Sequence, residues 1–246
     1  VFDLDKPEIV YQIPISIFIT VIVTIVTAIV AQFLSHFLTA RRDKKKEFMQ
    51  KYQDLYSSIL APLSNYMSIR TNPRRLHDVH HNVVVSDLLD ITINRYKENL
   101  KYSSPVLLKV YERYYGYGYY EDGWGSKEEA DKHALVYFLL DDLLRSSKWT
   151  GIFSRADRAR LKYLKYYYGI CSMALTFFDM SDTELILGME NFSGVWKKIR
   201  YQDYGNALLV LDRKKFKKGI LRHLNYVKKS EKDVYKNIYE DLKKRK

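Results

Sequence analysis

Between Ile13 and Ala40 the chain carries no Asp, Glu, Lys or Arg, and from Ile15 to Val30 it is almost wholly Ile, Val, Thr and Phe. A helix of about 20 residues crosses a hydrocarbon core roughly 30 Å thick, so this stretch is long enough to span a bilayer. Its β-branched content also suits a strand, but a strand needs only about 5 or 6 residues. An uncharged run of this length exposed to water would aggregate. The pattern therefore predicts a transmembrane helix over residues 13–40. The flanks orient it. Residues 1–12 are acidic (Asp3, Asp5 and Glu8 against Lys6), whereas Arg41, Arg42, Lys44, Lys45 and Lys46 follow the run at once. A cleaved signal peptide has the opposite start and a shorter apolar core. The basic block reads as an inside anchor, placing residues 1–12 outside and everything after Ala40 in the cytoplasm.

Past the basic block, Phe48, Tyr52 and Tyr56 recur at helical spacing, which predicts a juxtamembrane segment and helical stalk over 41–62, bent or ended by Pro62. A cytoplasmic domain, 63–246, follows. Asn72-Pro73 and Ser104-Pro105 place a capping side chain before a proline suited to the first helical position. Ser126 with Glu129, Ser154 with Asp157, Ser181 with Glu184 and Ser230 with Asp233 match the reciprocal capping pattern. Helices are expected near 73–81, 84–101, 105–116, 127–147, 155–179, 182–191 and 231–244, making the fold mainly α. Gly116–Gly125 reads as a glycine- and aromatic-rich loop without the following lysine of a phosphate loop. Over 195–211 a short hairpin around Asp203-Tyr204-Gly205-Asn206 competes with a helix over 208–224.

The apolar run has a small, polar face. Ser16, Thr20, Thr24, Ala28 and Gln32 recur at intervals of four, and Ala31 lies beside them. Such residues allow close helix approach and bonds between helices, which points to a homo-oligomer formed through the span and stalk. The competing reading is that the hydroxyls bond back to their own helix.

Charge sharpens the picture of the domain. The net charge is +12 over 246 residues, unevenly spread. Lys197–Lys246 carries 17 basic and 6 acidic side chains, whereas Glu121–Asp142 carries 7 acids and 2 lysines. A field of this kind attracts anionic lipid or nucleic acid. One cysteine, Cys171, excludes an intrachain disulfide and a cysteine-built zinc site.

Candidate chemistry is sparse. His77 and His81, four apart, invite a metal site completed by Asp87 or Asp90, but equally fit a polar helix end. Asp141-Asp142 and Glu128-Glu129 suit metal-ion acids of a nuclease or the solvated face of an amphipathic helix. No metalloprotease, nucleophile-elbow, kinase or dinucleotide motif is present in the sequence, and the reading leans away from an enzyme and needs no cofactor. The stronger pattern is basic and aromatic. Arg155, Arg158, Lys162 and Lys165 interleave with Tyr166 and Tyr167. Lys197, Lys198, Arg200 and Tyr201 follow, and then Arg213, Lys214, Lys215, Lys217 and Lys218. Cations can follow a phosphate backbone while rings stack on unpaired bases, so these residues are the expected nucleic-acid site, favouring single strands over duplex.

In plan, the span at 13–40, the Arg-Arg-Asp-Lys-Lys-Lys block and the Lys- and Tyr-rich body resemble a membrane-anchored abortive-infection protein of the lactococcal P type. The resemblance implies a protein of the bacterial cytoplasmic membrane that blocks phage multiplication inside the infected cell. Its partners would be the bilayer and nucleic acid, with phage or host replication or transcription factors in reach. It carries no motif residues across. Two other classes stay open: a membrane-tethered oligomeric scaffold binding a protein partner, and a metal-dependent nuclease or phosphohydrolase.

Overall fold

The computed structural model describes residues 14–72, 74–120, 126–187, 203–227 and 234–244. They form eleven α-helices and no strand among the described residues: α1 (Ile15–Lys51), α2 (Ser57–Arg70), α3 (Arg75–Asp78), α4 (Val85–Glu98), α5 (Pro105–Gly116), α6 (Ser126–Ser146), α7 (Arg155–Leu175), α8 (Met180–Leu187), α9 (Gly205–Val210), α10 (Arg213–Val227) and α11 (Val234–Lys244). Two compact units are formed, Val1–Glu47 and Phe48–Lys246.

In the first unit every described residue from Pro14 to Glu47 is exposed, including all of the Ile, Val and Phe side chains of the apolar run. A helix that is apolar all round and packed against nothing in its own unit is consistent with a transmembrane span.

The second unit begins earlier than the sequence pattern suggests. Phe48, Leu55, Tyr56, Ile59 and Leu63 are all buried, so the segment expected to be a stalk is core from Phe48 onward. Nor does the helix stop at Pro62. A π turn over Tyr52–Tyr56, in which the Ser57 amide donates to the Tyr52 carbonyl, leads into α2, and α2 carries Pro62 inside it and runs on to Arg70. Tertiary burial on this face outweighs the single backbone bond that proline removes.

The centre of the unit is the α6–α7 pair, joined by the short link Ser147–Ser154. α4 packs on α2, α5 on α6, and α8 and α10 on α7, while α11 lies on α8 and α10. α7 is buried continuously from Tyr166 to Leu175. Its start is set by the expected reciprocal cap: the Ser154 hydroxyl accepts from the Asp157 amide at 3.1 Å, and Asp157 accepts from the Ser154 amide at 3.1 Å. Ser104 and Pro105 likewise open α5. At α8 the cap is different, because Asp179 rather than Ser181 accepts from the Asp182 amide, at 2.8 Å. α3 is a single turn that ends at Asp78, short of the expected residue 81.

Residues 207–210 are helical and Leu211 is a turn residue, which removes the second strand of the expected hairpin; the first lies outside the described residues. The single helix over 208–224 is also divided. Leu211 adopts a left-handed conformation, φ 54°, and the Asp212 amide returns to the Ala207 carbonyl. Asp212 then caps α10 by accepting from the Lys215 amide at 3.0 Å. The cap offsets the roughly 1–2 kcal/mol cost of a left-handed non-glycine residue. On α10, Gly219 allows close packing on α7: a Cβ there would stand 3.1 Å from both Met173 and Tyr204 side-chain atoms.

Buried tyrosine is the signature of this core. A buried phenol retains its apolar body and must find a partner for its hydroxyl. Tyr56 donates to Asp142 at 2.5 Å, Tyr137 to Asp203 at 2.7 Å and Tyr168 to the Leu63 carbonyl at 3.0 Å. Tyr66 meets His133 at 2.9 Å, and Tyr166 meets His223 at 3.0 Å.

Candidate nucleic-acid interface

The structure separates the expected site residues into four groups. Tyr166 and Tyr167, expected to stack on bases, are buried in the core between α7, α10 and the Tyr204 ring, so they present no stacking face. This corrects the sequence reading, and the reason is helical phase: at 3.6 residues per turn both rings fall on the side of α7 that receives α10. Lys197, Lys198, Arg200 and Tyr201 lie outside the described residues.

The second group is cationic but already engaged. Arg158 donates to the Leu144 carbonyl at 2.9 Å and to the Ser147 hydroxyl at 3.0 Å, closing the C-terminal end of α6. Lys165 pairs with Asp141 at 2.8 Å and lies over the Tyr137 ring at 4.9 Å. Arg213 lies over Phe177 at 5.2 Å, Lys215 faces Asp212 at 3.4 Å, and Lys217 donates to the Lys243 carbonyl at 3.0 Å.

The third group is open. Arg155 and Lys162 on α7, and Lys214 and Lys218 on α10, are exposed. Lys214, Lys217, Lys218 and Arg222 line one concavity of about 430 Å³ with Leu221, Asn225 and the Tyr239 side chain of α11. They fall at intervals of three and four, one face of α10, while Phe216, Ile220, His223 and Leu224 bury the other. α10 contains no acidic residue, and neither Lys214, Lys218 nor Arg222 forms an ion pair among the described residues.

The fourth group lies on the apolar N-terminal helix, where three threonine hydroxyls bond back to their own helix. Thr20 donates to the Ser16 carbonyl at 2.7 Å, Thr24 to Thr20 at 2.8 Å and Thr27 to Val23 at 2.7 Å. Ala28, Ala31 and Gln32 are exposed on the same helix, as are Arg41, Arg42, Lys44, Lys45 and Lys46 beyond it.

Of the acids proposed for metal chemistry, Asp90, Glu128, Glu129, Asp141 and Asp142 are held in ion pairs. Asp142 accepts from Lys51 at 2.6 Å as well as from Tyr56, and Asp141 also pairs with Arg145. Lys132 serves Glu129 at 2.9 Å, Asp90 at 3.6 Å and Glu128 at 3.7 Å. Because α3 ends at Asp78, His77 and His81 do not share a helical face. Among the described residues no group of three potential ligands converges. Burial pushes the Cys171 thiol well above its usual range, which makes it a packed side chain rather than a nucleophile.

Sequence reasoning missed the α6–α7 link. Arg145 and Lys148 join Arg158, Lys162 and Lys165 around a cavity of about 340 Å³, with Asp141 and Asp203 as its only carboxylates among the described residues. Trp149, next to Lys148, is 75% exposed, with the Lys148 ammonium 5.1 Å from its ring centroid. The one sequence signal was a tryptophan flanked by lysine in a polar stretch, Ser-Ser-Lys-Trp-Thr-Gly.

Taken together, the fold defines a mainly α-helical protein with one N-terminal helix long and apolar enough to cross a membrane, followed by a helical domain. Comparison with protein-family models, curated proteins and solved structures gives no match.

Proposed function

We propose that the chain is a single-pass protein of the bacterial cytoplasmic membrane, with the residues before the span outside and the helical domain in the cytoplasm. The domain binds nucleic acid and thereby interferes with phage multiplication, by holding its ligand at the membrane and without a bond-making step. The observation that carries the binding is the acid-free outer face of α10, where Lys214, Lys218 and Arg222 line one concavity. Lysines at successive helical turns suit a phosphate backbone, and release of its counterions drives such binding. The basic block Arg41–Lys46 after the apolar run supports the orientation. The antiviral role rests on the resemblance in plan alone.

The test is binding of labelled oligonucleotides to the full chain in lipid nanodiscs across a salt series. The double variant Lys214→Glu, Lys218→Glu is expected to bind at least tenfold more weakly, and to flatten the slope of log K against log salt by about 1.4 to 1.8 for two lost phosphate contacts. An unchanged slope would refute the role of α10. In cells, the same variant at wild-type abundance is expected to lose phage restriction.

A further inference from the structure

We propose that the link between α6 and α7 is a subsite for an unpaired nucleobase and its phosphate, with Trp149 as the residue that discriminates single strands from duplex. This rests on the nucleic-acid reading above but concerns a different surface. Tryptophan has the largest apolar area of any side chain, and leaving it 75% exposed forgoes burial that every large tyrosine of the core obtains. The link is not loose at this point. Arg158 of α7 bonds the Leu144 carbonyl and the Ser147 hydroxyl, anchoring the start of the link two residues before the indole.

The chemistry beside the ring is what selects the ligand. Arg145, Lys148, Arg158, Lys162 and Lys165 surround the adjoining cavity. Asp141 is shared by Lys165 and Arg145, and Asp203 already accepts from Tyr137 and the Gly205 amide, so positive charge remains in excess. Lys148 both lies over the indole, 5.1 Å from its centroid, and lines the cavity of about 340 Å³, so a π-surface and an anion-receptive site meet at that residue, as a base joined to a phosphate requires. A duplex keeps its bases stacked on each other and offers the ring nothing to stack on, so it gains only the phosphate contact. Arg158 is here a positioning residue, while Trp149, Lys148 and Lys162 touch the ligand.

The experiment compares a labelled oligothymidylate with a duplex of equal length, using the full chain in nanodiscs of zwitterionic lipid. Trp149→Ala is expected to weaken single-strand binding about tenfold, the scale of one base–aromatic stack, and to leave duplex binding unchanged. Trp149→Phe is expected to restore most of it. In a Trp124→Phe, Trp196→Phe background the oligothymidylate should quench Trp149 emission, and inorganic polyphosphate should not. Loss of binding to both ligands, or to neither, on Trp149→Ala would overturn the proposal. So would quenching by phosphatidylglycerol vesicles without quenching by oligothymidylate, which would assign the link to the bilayer. The two readings fail separately: Lys214→Glu, Lys218→Glu should weaken single-strand and duplex binding alike, and a null result there with a selective Trp149 effect would refute α10 while retaining the link.

Discussion

Lowering the pH from 7 to 5 is expected to cost the folded domain about 4 kcal/mol of stability, about 2 from each of His133 and His223. Both side chains are fully buried, and burial pushes each imidazole down from its usual value of 6.5 to about 4. Around His133, Arg70 and Lys132 add to the depression, while Glu129 opposes it. The ring donates from Nδ1 to the Glu129 carbonyl at 2.7 Å, so its Nε2 is the lone pair that receives the Tyr66 hydroxyl. Around His223 the backbone of Ile186 and Leu187 opposes the depression without cancelling it. The sign follows directly. Between pH 6.5 and 4 the unfolded chain binds a proton at each histidine that the folded chain does not. Stability therefore falls as the pH drops through that window and is unaffected above it. The depressed carboxyls of Asp157, Asp203 and Asp212, held down largely by hydrogen bonds to their charged form, act in the same sense only at lower pH. Urea unfolding of the full chain at pH 7, 6 and 5 measures the slope. The double variant His133→Gln, His223→Asn should flatten it, and a slope that survives the double substitution would locate the acid sensitivity elsewhere.

Replacing Arg113 by alanine is expected to cost about 3–5 kcal/mol, the effect of stripping a buried charge of its partner. Arg113 grips Asp131 through two bonds, Nε to Oδ2 at 2.8 Å and Nη2 to Oδ1 at 2.5 Å, and the carboxylate is only 4% exposed. The remaining Nη1 reaches the Leu208 and Leu209 carbonyls at 3.2 and 3.3 Å, tying α5 and α6 to α9. Burial, followed by Asp131, also pushes the Tyr117 phenol up to about 12, which keeps it neutral beside the carboxylate and leaves Arg113 to balance the charge. Removing both charges should be far milder. The pair Arg113→Met, Asp131→Leu is expected to recover more than half of the loss, because no uncompensated charge is left behind. Thermal unfolding of the two variants decides this, and a single-variant cost below about 1 kcal/mol would show that the carboxylate is solvated or protonated at little cost.

Much of the helical layout was legible because its signals are local. Ser104-Pro105 and Ser154 with Asp157 act within one turn, and both caps stand where the spacing placed them. The threonines of the span also satisfy themselves within one turn, which is why their back-bonded arrangement was foreseeable as one of two readings. The misreadings share a different origin. Pro62 carries a helix-breaking signal, but Ile59 and Leu63 on either side of it are core, and their burial against distant elements outweighs it. Tyr166 and Tyr167 sit among arginines and lysines in sequence, yet they point at α10, more than 45 residues away. Trp149 had no periodic context at all, and its exposure follows only from where the α6–α7 link emerges.

The sequence by itself determined the long apolar N-terminal helix, the helical class, most helix starts and the excess of positive charge, since each depends on composition or on neighbours within about four residues. Only the tertiary structure decided which aromatics are core and which are exposed. It also decided which cations are spent on Asp141, Asp212 and main-chain carbonyls, and which remain on α10 and beside Trp149. Burial and pairing are properties of contacts between elements far apart in the chain, and no local pattern encodes which face a helix will turn toward a partner it meets only after folding.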